Sequence, residues 1–454
     1  MRVADNKITD WPKQQLRGHK LEGYRYTSNE FFEKEFDGMW ARVWLLLGRE
    51  SELPNPGDWQ KEDVGPESII MVRQEDSSIK AFYNVCQHRG NQLVSEEKGH
   101  VKRFVCRYHA WAFMTDGELV FAQDADDFRD GNPCGKLNLK ELRCETFAGF
   151  IWVNMDPDCD DLKTFLGPIW DDWSNYELES WKRYLARTTT LPCNWKVVMD
   201  NFNESYHVPT VHRPRGTPEE RKRMHSGVDT RVEYTRFDLA DEGHNRMIMP
   251  GGYAGVSRNE DGSIGEPLAT IMREWGMNPD DYRGRGDETR AALQKAKREV
   301  GPAKGYTHYE KLADEQLTDA FHYTLFPNFA VSLWSDGFHF LRVRPHPTDP
   351  EQCVFDNWWY ASQPEGETAP VRTTADIIPR DTEVEHEVFA LGEKSMGRTI
   401  DQDVEIFSLQ QISMRSRGYE GAYLADQESR VERYHELIDD YIGDRRPNEA
   451  ASKR

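Results

Sequence analysis

The chain has 454 residues, of which 37% are apolar and 12% aromatic, and this is enough for two or three domains with a sizeable core. Its 58 basic and 79 acidic residues leave a formal charge of −21, which argues against nucleic acid or an anionic membrane as a partner because both would repel it. No segment approaches the roughly 20 apolar residues that cross a bilayer, and no signal peptide is evident, so we expect a cytoplasmic protein. The seven cysteines, an odd number, favour reduced thiols and metal ligands over a disulfide framework.

The first part of the chain is predicted to be an arm and a helix followed by a β domain. Residues 1–44 are a polar arm and the start of an amphipathic helix, and the run Thr27–Glu30 has a capping-box pattern. Residues 45–155 contain short β-rich runs separated by turn residues, including the hairpin signal Asp116-Gly117. This segment is predicted to be a small all-β domain.

The remainder, residues 156–454, mixes helices and strands. We predict a helix from about Asn194 to His207, then strands up to about residue 361, and two helices near the end of the chain. The basic run Arg213–Arg223 is interpreted as a solvated loop. The predicted fold class is therefore α+β, with an N-terminal all-β domain and a C-terminal domain that contains an antiparallel sheet.

Two pairs of cysteine and histidine lie in predicted loops of the β domain. Cys86 and His88 form the first pair, and Cys106 and His109 form the second. Two Cys and two His can bind one zinc ion tetrahedrally, so a structural zinc site is the alternative to consider first. The spacing of the first pair is tighter than the usual zinc spacing, which counts against zinc.

Both pairs resemble the Rieske [2Fe–2S] signature, Cys-x-His-Arg-Gly followed by Cys-x-x-His-x-Trp. The resemblance implies that Cys86 and Cys106 bind one iron and that His88 and His109 bind the other, which raises the reduction potential above that of an all-Cys cluster. Arg89 and backbone N–H groups are expected to tune the sulfides.

A second group of candidate ligands lies where the helix from Asn194 is predicted to end. Glu204 and His207 are three residues apart and would share a helix face, whereas His212 would point away on an unbroken helix. Pro209 has no N–H and disrupts a helix, so a kink there would bring His212 toward His207. The alternative is a pair of ordinary histidines near a helix end.

This segment resembles the catalytic motif of Rieske non-haem iron oxygenases, Asn-Trp-Lys and then acid-x-x-His-x-x-x-x-His. The resemblance to the large (α) subunit of the aromatic ring-hydroxylating dioxygenase family runs from about residue 25 to 440. It implies a helix-grip catalytic domain in which His207, His212 and a distant carboxylate hold a mononuclear Fe(II) with three positions open. The spacing to later residues matches Asp403 better than Asp401 for that carboxylate.

The resemblance also implies an assembly and electron-transfer partners. The subunits would form a head-to-tail homotrimer, with or without a small β subunit, and Glu204 would bridge His207 to His109 of the partner subunit. Many family members have Asp in place of Glu204. The chain has neither a Gly-x-Gly-x-x-Gly nor a P-loop pattern, so electrons are expected from a separate NAD(P)H-dependent reductase, with or without a ferredoxin.

The predicted function is the oxygenase component of a multicomponent enzyme that uses O2 to hydroxylate an aromatic or other apolar organic substrate, with dioxygenation favoured. Monooxygenation, such as O- or N-demethylation, is the alternative within this class. A non-enzymatic protein with a zinc-stabilised β domain and a ligand-binding domain is the alternative outside it. The candidate lining residues of an apolar pocket are Met247, Met249, Phe321, Phe326, Phe329, Trp334 and Phe338.

Overall fold

The computed structural model describes residues 8, 10–11, 15–18, 20–212, 234–252, 259–362, 370–372 and 377–443. The chain divides into two compact units: residues 34–165 with the short segment 346–349, and the described parts of 1–33, 166–345 and 350–454. The predicted domain boundaries at residues 45 and 155 stay a prediction. The basic run Arg213–Arg223 lies outside the described residues. Within the described part of the chain, no helix is long and apolar enough to cross a membrane.

The described helices and strands are as follows in chain order. The α-helices are α1 (Tyr24–Thr27), α2 (Asn29–Glu35), α3 (Leu162–Leu166), α4 (Pro168–Trp173), α5 (Trp195–Phe202), α6 (Val208–Val211), α7 (Leu268–Glu274), α8 (Thr289–Val300), α9 (Asp314–Thr318), α10 (Arg398–Ser413) and α11 (Ser429–Ile442). The strands are β1 (Leu45–Arg49), β2 (Asp58–Val64), β3 (Glu67–Arg73), β4 (Ile79–Tyr83), β5 (Lys98–His100), β6 (Arg103–Val105), β7 (Ala112–Met114), β8 (Leu119–Phe121), β9 (Glu141–Phe147), β10 (Phe150–Asn154), β11 (Lys182–Leu191), β12 (Arg236–Leu239), β13 (Asn245–Met249), β14 (Ala320–Leu325), β15 (Phe329–Leu333), β16 (Gly337–Pro345), β17 (Cys353–Ala361), β18 (Pro370–Arg372), β19 (Ile377–Pro379) and β20 (Glu387–Val388).

The smaller unit is built on two antiparallel sheets. One has the strand order β1-β10-β9-β4-β3-β2-β5 and the other has the order β6-β7-β8. Gly117 has a φ of +94°, which suits the tight turn predicted between β7 and β8. Buried apolar residues from both sheets form one core cluster, and this cluster includes Cys86 and Cys106. The predicted all-β character of this segment is confirmed.

The larger unit is built on a sheet with the order β12-β13-β14-β15-β16-β17-β11-β20. The neighbouring strands in it are antiparallel except for β11 and β20, which are parallel. Helix α5 lies against β15 and β16 and also contacts α10. The predicted α+β class, with helices packed on an antiparallel sheet, is therefore confirmed for this unit.

Side chains alternate between the two faces of β17. Phe355 stacks on Phe202 of α5 with ring centroids 5.9 Å apart, so Phe355 and the residues two and four positions later, Asn357 and Trp359, lie on the face toward α5. Trp358 points to the opposite face and stacks on its cross-strand neighbour Phe340 at 4.8 Å. The face toward α5 carries the candidate iron site.

Helix α5 ends earlier than the sequence predicts. It stops at Phe202 rather than near His207, and Glu204 therefore lies in the turn before α6 rather than on a helix. The side chain of Asn203 explains the stop, because its Oδ1 accepts hydrogen bonds from Asn245 at 3.0 Å and Thr324 at 2.7 Å in the sheet. These tertiary bonds draw the backbone out of the helix, and local periodicity does not reveal them.

Asp356 is a fully buried charge on the sheet face opposite α5. Its carboxylate accepts hydrogen bonds from Arg342 at 2.7 Å, from Arg344 at 3.1 Å and from Thr188 at 2.7 Å. Burial alone would raise the pKa of Asp356, but the two guanidinium groups lower it to about 2. The group is therefore ionised and fully paired.

We expect Asp356→Ala to lower the free energy of unfolding by about 3 to 5 kcal/mol, because it leaves the buried guanidinium group of Arg342 and the partly buried one of Arg344 without their carboxylate. Urea denaturation followed by circular dichroism measures the change. The matched control is Glu351→Ala, which removes a surface partner of Arg415 and is expected to cost about 1 kcal/mol or less. Equal losses in the two variants would contradict the structural role of Asp356.

Candidate metal centres

The two Cys–His loops of the smaller unit have the same backbone hydrogen bonds. In the first loop, the N–H of Gly90 donates to the carbonyl of Cys86 at 3.0 Å, and the N–H of Cys86 donates to the carbonyl of Asn91 at 2.8 Å. In the second, Ala110 donates to Cys106 at 2.9 Å, and Cys106 donates to Trp111 at 2.8 Å. The chain is thus folded twice into the same loop, with one thiol and one imidazole in each.

Both loops need a left-handed residue at the same place. Gly90 has a φ of +75°, which glycine adopts without steric cost, and Ala110 has a φ of +58°, which costs an L side chain free energy. Backbone strain of this kind persists where the surrounding structure enforces it, and it is common at ligand sites.

The side chains of the two loops face one another. The rings of His88 and His109 have centroids 4.6 Å apart, and Trp111 stacks on His88 at 4.8 Å. The Nδ1 of His88 is buried and has no hydrogen-bond partner among the described residues, which suits a nitrogen reserved for a metal. The amide of Asn91 donates to the Sγ of Cys106 at 3.8 Å, as expected of an outer residue that stabilises a thiolate.

The protonation of these ligands depends on the metal. Burial raises the pKa of the Cys86 thiol to about 11, and the nearby Cys106 adds to the increase. Burial and the neighbouring His109 lower the pKa of His88, which keeps that imidazole neutral. Two buried thiolates need a strong positive charge beside them, and iron supplies it. The donor set therefore fits a cluster.

The same four ligands do not suit a single zinc ion. The donor atoms of one tetrahedral zinc lie within about 4 Å of one another. A search of the described residues for three or more Cys, His or acidic side chains with ligand atoms within 4.8 Å of one another finds His207, His212 and Asp403. It does not find the residues of the Cys–His loops. The separation in the loops suits a cluster with two metal ions.

The second centre begins in the turn after α5. Pro209 lies in the first turn of α6, where its missing N–H leaves no helical bond unmade. The proline therefore starts a short helix rather than kinking a long one, and this differs from the prediction. The result for the ligands is the one expected, because the Nε2 atoms of His207 and His212 lie 3.3 Å apart.

Each of the two imidazoles is oriented through its other nitrogen. The Nδ1 of His207 lies 2.5 Å from a carboxylate oxygen of Glu204, whose second oxygen accepts from the backbone N–H of His207 at 3.0 Å. The Nδ1 of His212 lies 3.0 Å from the side-chain oxygen of Gln402. Both Nδ1 atoms must donate to these oxygens, so both Nε2 atoms carry the lone pair that binds a metal.

Asp403 brings the third candidate ligand from α10. Its Oδ1 lies 3.2 Å from the Nε2 of His212 and 3.6 Å from the Nε2 of His207. This oxygen is buried, and it makes no well-oriented hydrogen bond within the part of the chain that the structure describes. Ligands bound about 2.1 Å from one ion at right angles are about 3 Å apart, so these separations fit a shared ion. Burial acts to lower the pKa of His212, but the nearby carboxylate of Asp403 raises it.

Asp401, the competing acid, is occupied elsewhere. Its carboxylate accepts from the backbone N–H of Met396 at 2.7 Å and from the hydroxyl of Ser395, so it binds the two residues that precede the N-cap of α10. Glu405 is exposed on the same helix. The structure thus brings Asp403, and neither of its acidic neighbours, to the two histidines.

Comparison with known proteins gives two family matches. Residues 178–444 match the ring-hydroxylating α-subunit catalytic domain, and residues 43–129 match the Rieske [2Fe–2S] domain. The first match covers more than half of the chain. The chain belongs to the ring-hydroxylating α-subunit family. The assignment predicted from the two motifs is confirmed, together with the family's Rieske [2Fe–2S] domain and non-haem iron catalytic domain.

The relatives include both monooxygenases and dioxygenases. The carnitine monooxygenase oxygenase subunit of Escherichia coli K12 is 36% identical over 189 residues, covering 41% of this chain and 50% of the relative. The biphenyl dioxygenase α subunit of Metapseudomonas furukawaii is 32% identical over 267 residues, covering 53% and 57%. The chain thus spans about half the length of the curated relatives it matches.

Solved structures share the fold over almost the whole length. A quaternary ammonium Rieske monooxygenase is 21% identical with a TM-score of 0.64, and the match covers 93% of this chain and 95% of that one. Naphthalene 1,2-dioxygenase is 21% identical with a TM-score of 0.62, covering 94% and 93%. Two members with different reactions are thus about equally similar in fold.

Several residues of the chain lie where the sequence does not predict them or carry a role that it does not reveal. Phe329 and Phe338, two candidate pocket residues, pack on the far side of the sheet against Trp173 and Trp181. Gln402 was not predicted at all, because an amide next to an acid has no recognisable sequence signal.

We expect Gln402→Leu to weaken iron binding by about 10- to 100-fold, because the Nδ1–H of His212 loses its acceptor and the ring is free to turn. Anaerobic titration with ferrous iron measures the affinity, and the visible spectrum of the Rieske cluster serves as an internal reference. Glu405→Gln on the exposed side of α10 is the control. Unchanged iron affinity in Gln402→Leu would show that His212 does not need this acceptor.

Proposed function

We propose that this chain is the oxygenase component of a multicomponent Rieske oxygenase that hydroxylates a small organic substrate with O2. The observation that carries the proposal is the convergence of His207, His212 and Asp403 on one point. Two imidazoles and one carboxylate on one side of an ion leave three positions open, which is the ligand set of O2-activating non-haem iron. Ferrous iron bound there would supply the site at which O2 is reduced.

The chain's own residues supply orientation and shielding. Glu204 and Gln402 hold the Nδ1 protons of the two histidines. Asp403 is only 2% exposed, so water reaches its carboxylate poorly, and its negative charge is directed at the metal. Two histidines and one carboxylate give a ferrous site a net charge of +1, and the substrate occupies the space in front of it.

Electron supply belongs to the smaller unit in this proposal. Cys86, Cys106, His88 and His109 hold the [2Fe–2S] cluster, which receives electrons from a separate NAD(P)H-dependent reductase, directly or through a ferredoxin. Glu204 links the cluster of the partner subunit to His207 in a homotrimer. A carboxylate has about four acceptor positions, so Glu204 can accept another hydrogen bond while it holds His207. The solved quaternary ammonium Rieske monooxygenase is described as using inter-subunit electron transfer, which supports this arrangement.

Two reactions are consistent with these centres. Dioxygenation adds both atoms of O2 to the substrate with two electrons and two protons, and the biphenyl dioxygenase relative supports it. Monooxygenation uses the same electrons and protons but adds one oxygen atom and releases the other as water. The carnitine monooxygenase relative supports this second candidate. Dioxygenation is the reaction predicted from the sequence.

Turnover under labelled oxygen tests the proposal and separates the two reactions. We expect purified protein to contain about two acid-labile sulfides and three iron atoms per chain. With a surrogate reductase, a substrate panel and 18O2, products should gain one labelled atom in monooxygenation and two in dioxygenation, as read by mass spectrometry. A colourless protein without iron, or products labelled only from water, would contradict the oxygenase.

A second prediction concerns Glu204. We expect Glu204→Gln to retain the iron and the cluster but to lower turnover by about 10- to 100-fold, because a neutral amide orients His207 less firmly and couples it poorly to a second imidazole. Metal analysis and single-turnover rates after chemical reduction measure the two effects. Glu428→Gln, a change at a nearby acid, should keep normal rates. Near-normal turnover in Glu204→Gln would exclude the bridging role.

A further inference from the structure

The sheet face toward the iron site carries a row of polar residues. His322 on β14, Ser332 on β15 and His339 on β16 stand directly opposite one another on neighbouring strands. Met247 and Trp359 continue the row on either side. Neighbouring strands are about 4.8 Å apart, so the two histidines are about 10 Å apart. Three polar residues in the middle of a largely buried sheet face require an explanation.

The row faces the metal ligands. The carboxylate of Asp403 is close enough to act on the pKa of His339, and the backbone carbonyl of Phe202, at the end of α5, lies beside His322. Both histidines are 6% exposed, so they are buried among protein atoms and are not surface residues. The row is therefore part of the wall beside the iron site.

The hydrogen-bond network determines the tautomer of His339. The side-chain amide of Asn357 donates to the backbone carbonyl of Met396, which can only accept. The amide nitrogen of Asn357 must therefore face Met396, and its Oδ1 must face the Nε2 of His339. That oxygen can only accept, so the Nε2 of His339 carries the proton. The Nδ1 of His339 is then a bare lone pair.

This lone pair has no hydrogen-bond partner in the part of the chain that the structure describes. Among the residues that the structure describes, the Nδ1 of His339 makes no hydrogen bond. Burial lowers the pKa of His339 to about 4, which keeps the ring neutral at physiological pH. The residue as a whole is only 6% exposed, so a polar atom of this ring without a protein partner depends on water or a ligand for its hydrogen bond.

His322 has a similar arrangement. Its Nδ1 lies 2.7 Å from the hydroxyl of Ser332, and its Nε2 is buried without a well-oriented partner among the described residues. Burial holds the pKa of His322 well below its ordinary value, although the nearby carbonyl of Phe202 acts in the other direction. Both imidazoles in the row are thus neutral and incompletely bonded.

We infer that His339 is a specificity-determining residue whose Nδ1 accepts a hydrogen bond from a hydroxyl or N–H group of the substrate. The inference rests on the proposed function, because it places the substrate beside the iron. The substrate class is a small molecule with an apolar body, which contacts Trp359, and at least one hydrogen-bond donor. An unsubstituted hydrocarbon would leave the Nδ1 of His339 without a partner and is disfavoured for that reason.

The competing explanation is purely structural. His339, Asn357 and Met396 connect the sheet to the start of α10, and that connection needs only the Nε2 of His339. It gives no role to the Nδ1. A structural tie predicts a loss of stability in a variant, whereas substrate recognition predicts a loss of preference among ligands.

Binding of matched ligands to the iron-loaded holoenzyme separates these explanations. Each pair contains a phenol or an aniline and the same compound with its donor capped by methyl groups. Dissociation constants are measured by tryptophan fluorescence or calorimetry without oxygen or reductase. We expect the uncapped members to bind about tenfold more tightly to the wild-type protein.

Three variants test the residue itself. His339→Phe should abolish the preference, and His339→Gln should keep part of it because a side-chain amide can donate to Asn357 and still accept from the ligand. His386→Phe alters a histidine that bonds Thr188, on the other sheet face, and should keep the preference. Melting temperatures check folding, and His339→Gln keeps the test valid if His339→Phe is unstable.

The inference is overturned if both members of the pairs bind wild-type protein equally, if no member binds, or if His339→Phe retains the preference. These outcomes need no turnover, so they differ from a failure of the proposed function. That failure would appear as missing metal or as products without oxygen from 18O2, whatever the ligand preference.

Discussion

Each imidazole at the iron site has two nitrogens, and the protein must determine which of them faces the metal. In the catalytic unit two acceptors make this choice, Glu204 for His207 and Gln402 for His212. With both Nδ1 protons held, both Nε2 lone pairs point toward the carboxylate of Asp403. Without either acceptor a ring could turn or change its tautomer, and the three ligand atoms would no longer converge.

Helix α10 makes this arrangement possible, because it supplies both a ligand and an acceptor, and the acceptor Gln402 lies 190 residues after His212. Its start is tied to the sheet where Asn357 donates to the carbonyl of Met396, and Asp401 in its first turn accepts from the backbone N–H of Met396. Its later part is tied to the start of α5, because the side chain of Gln411 accepts from the N–H of Asn194 at 2.8 Å. Hydrogen bonds at the start and in the later part of the helix fix its position along its axis. Asp403, which lies between them, therefore has a defined position.

The sequence predicts best what depends on short spacing. The Cys–His loops and the histidine pair could be recognised because their ligands are a few residues apart, and the fold class followed from strand and helix patterns. Asp403 was selected through a family resemblance, since nothing local distinguishes it from Asp401. The end of α5 was placed too late because the bonds of Asn203 come from distant strands. Gln402 and the tautomer of His339 depend on contacts that exist only in the folded chain.

The row of polar residues on the sheet also shows how a positively charged centre and buried histidines can coexist. A protonated imidazole beside a ferrous ion would repel it, and repulsion between charges is strong where water is excluded. Burial prevents this, because it lowers the pKa of both His322 and His339 and keeps them neutral. Neutral rings still carry lone pairs and N–H groups, so they can recognise a polar substituent without opposing the metal. An apolar wall would fold more easily, and the cost of retaining the polar row is most simply explained by a ligand that completes its hydrogen bonds.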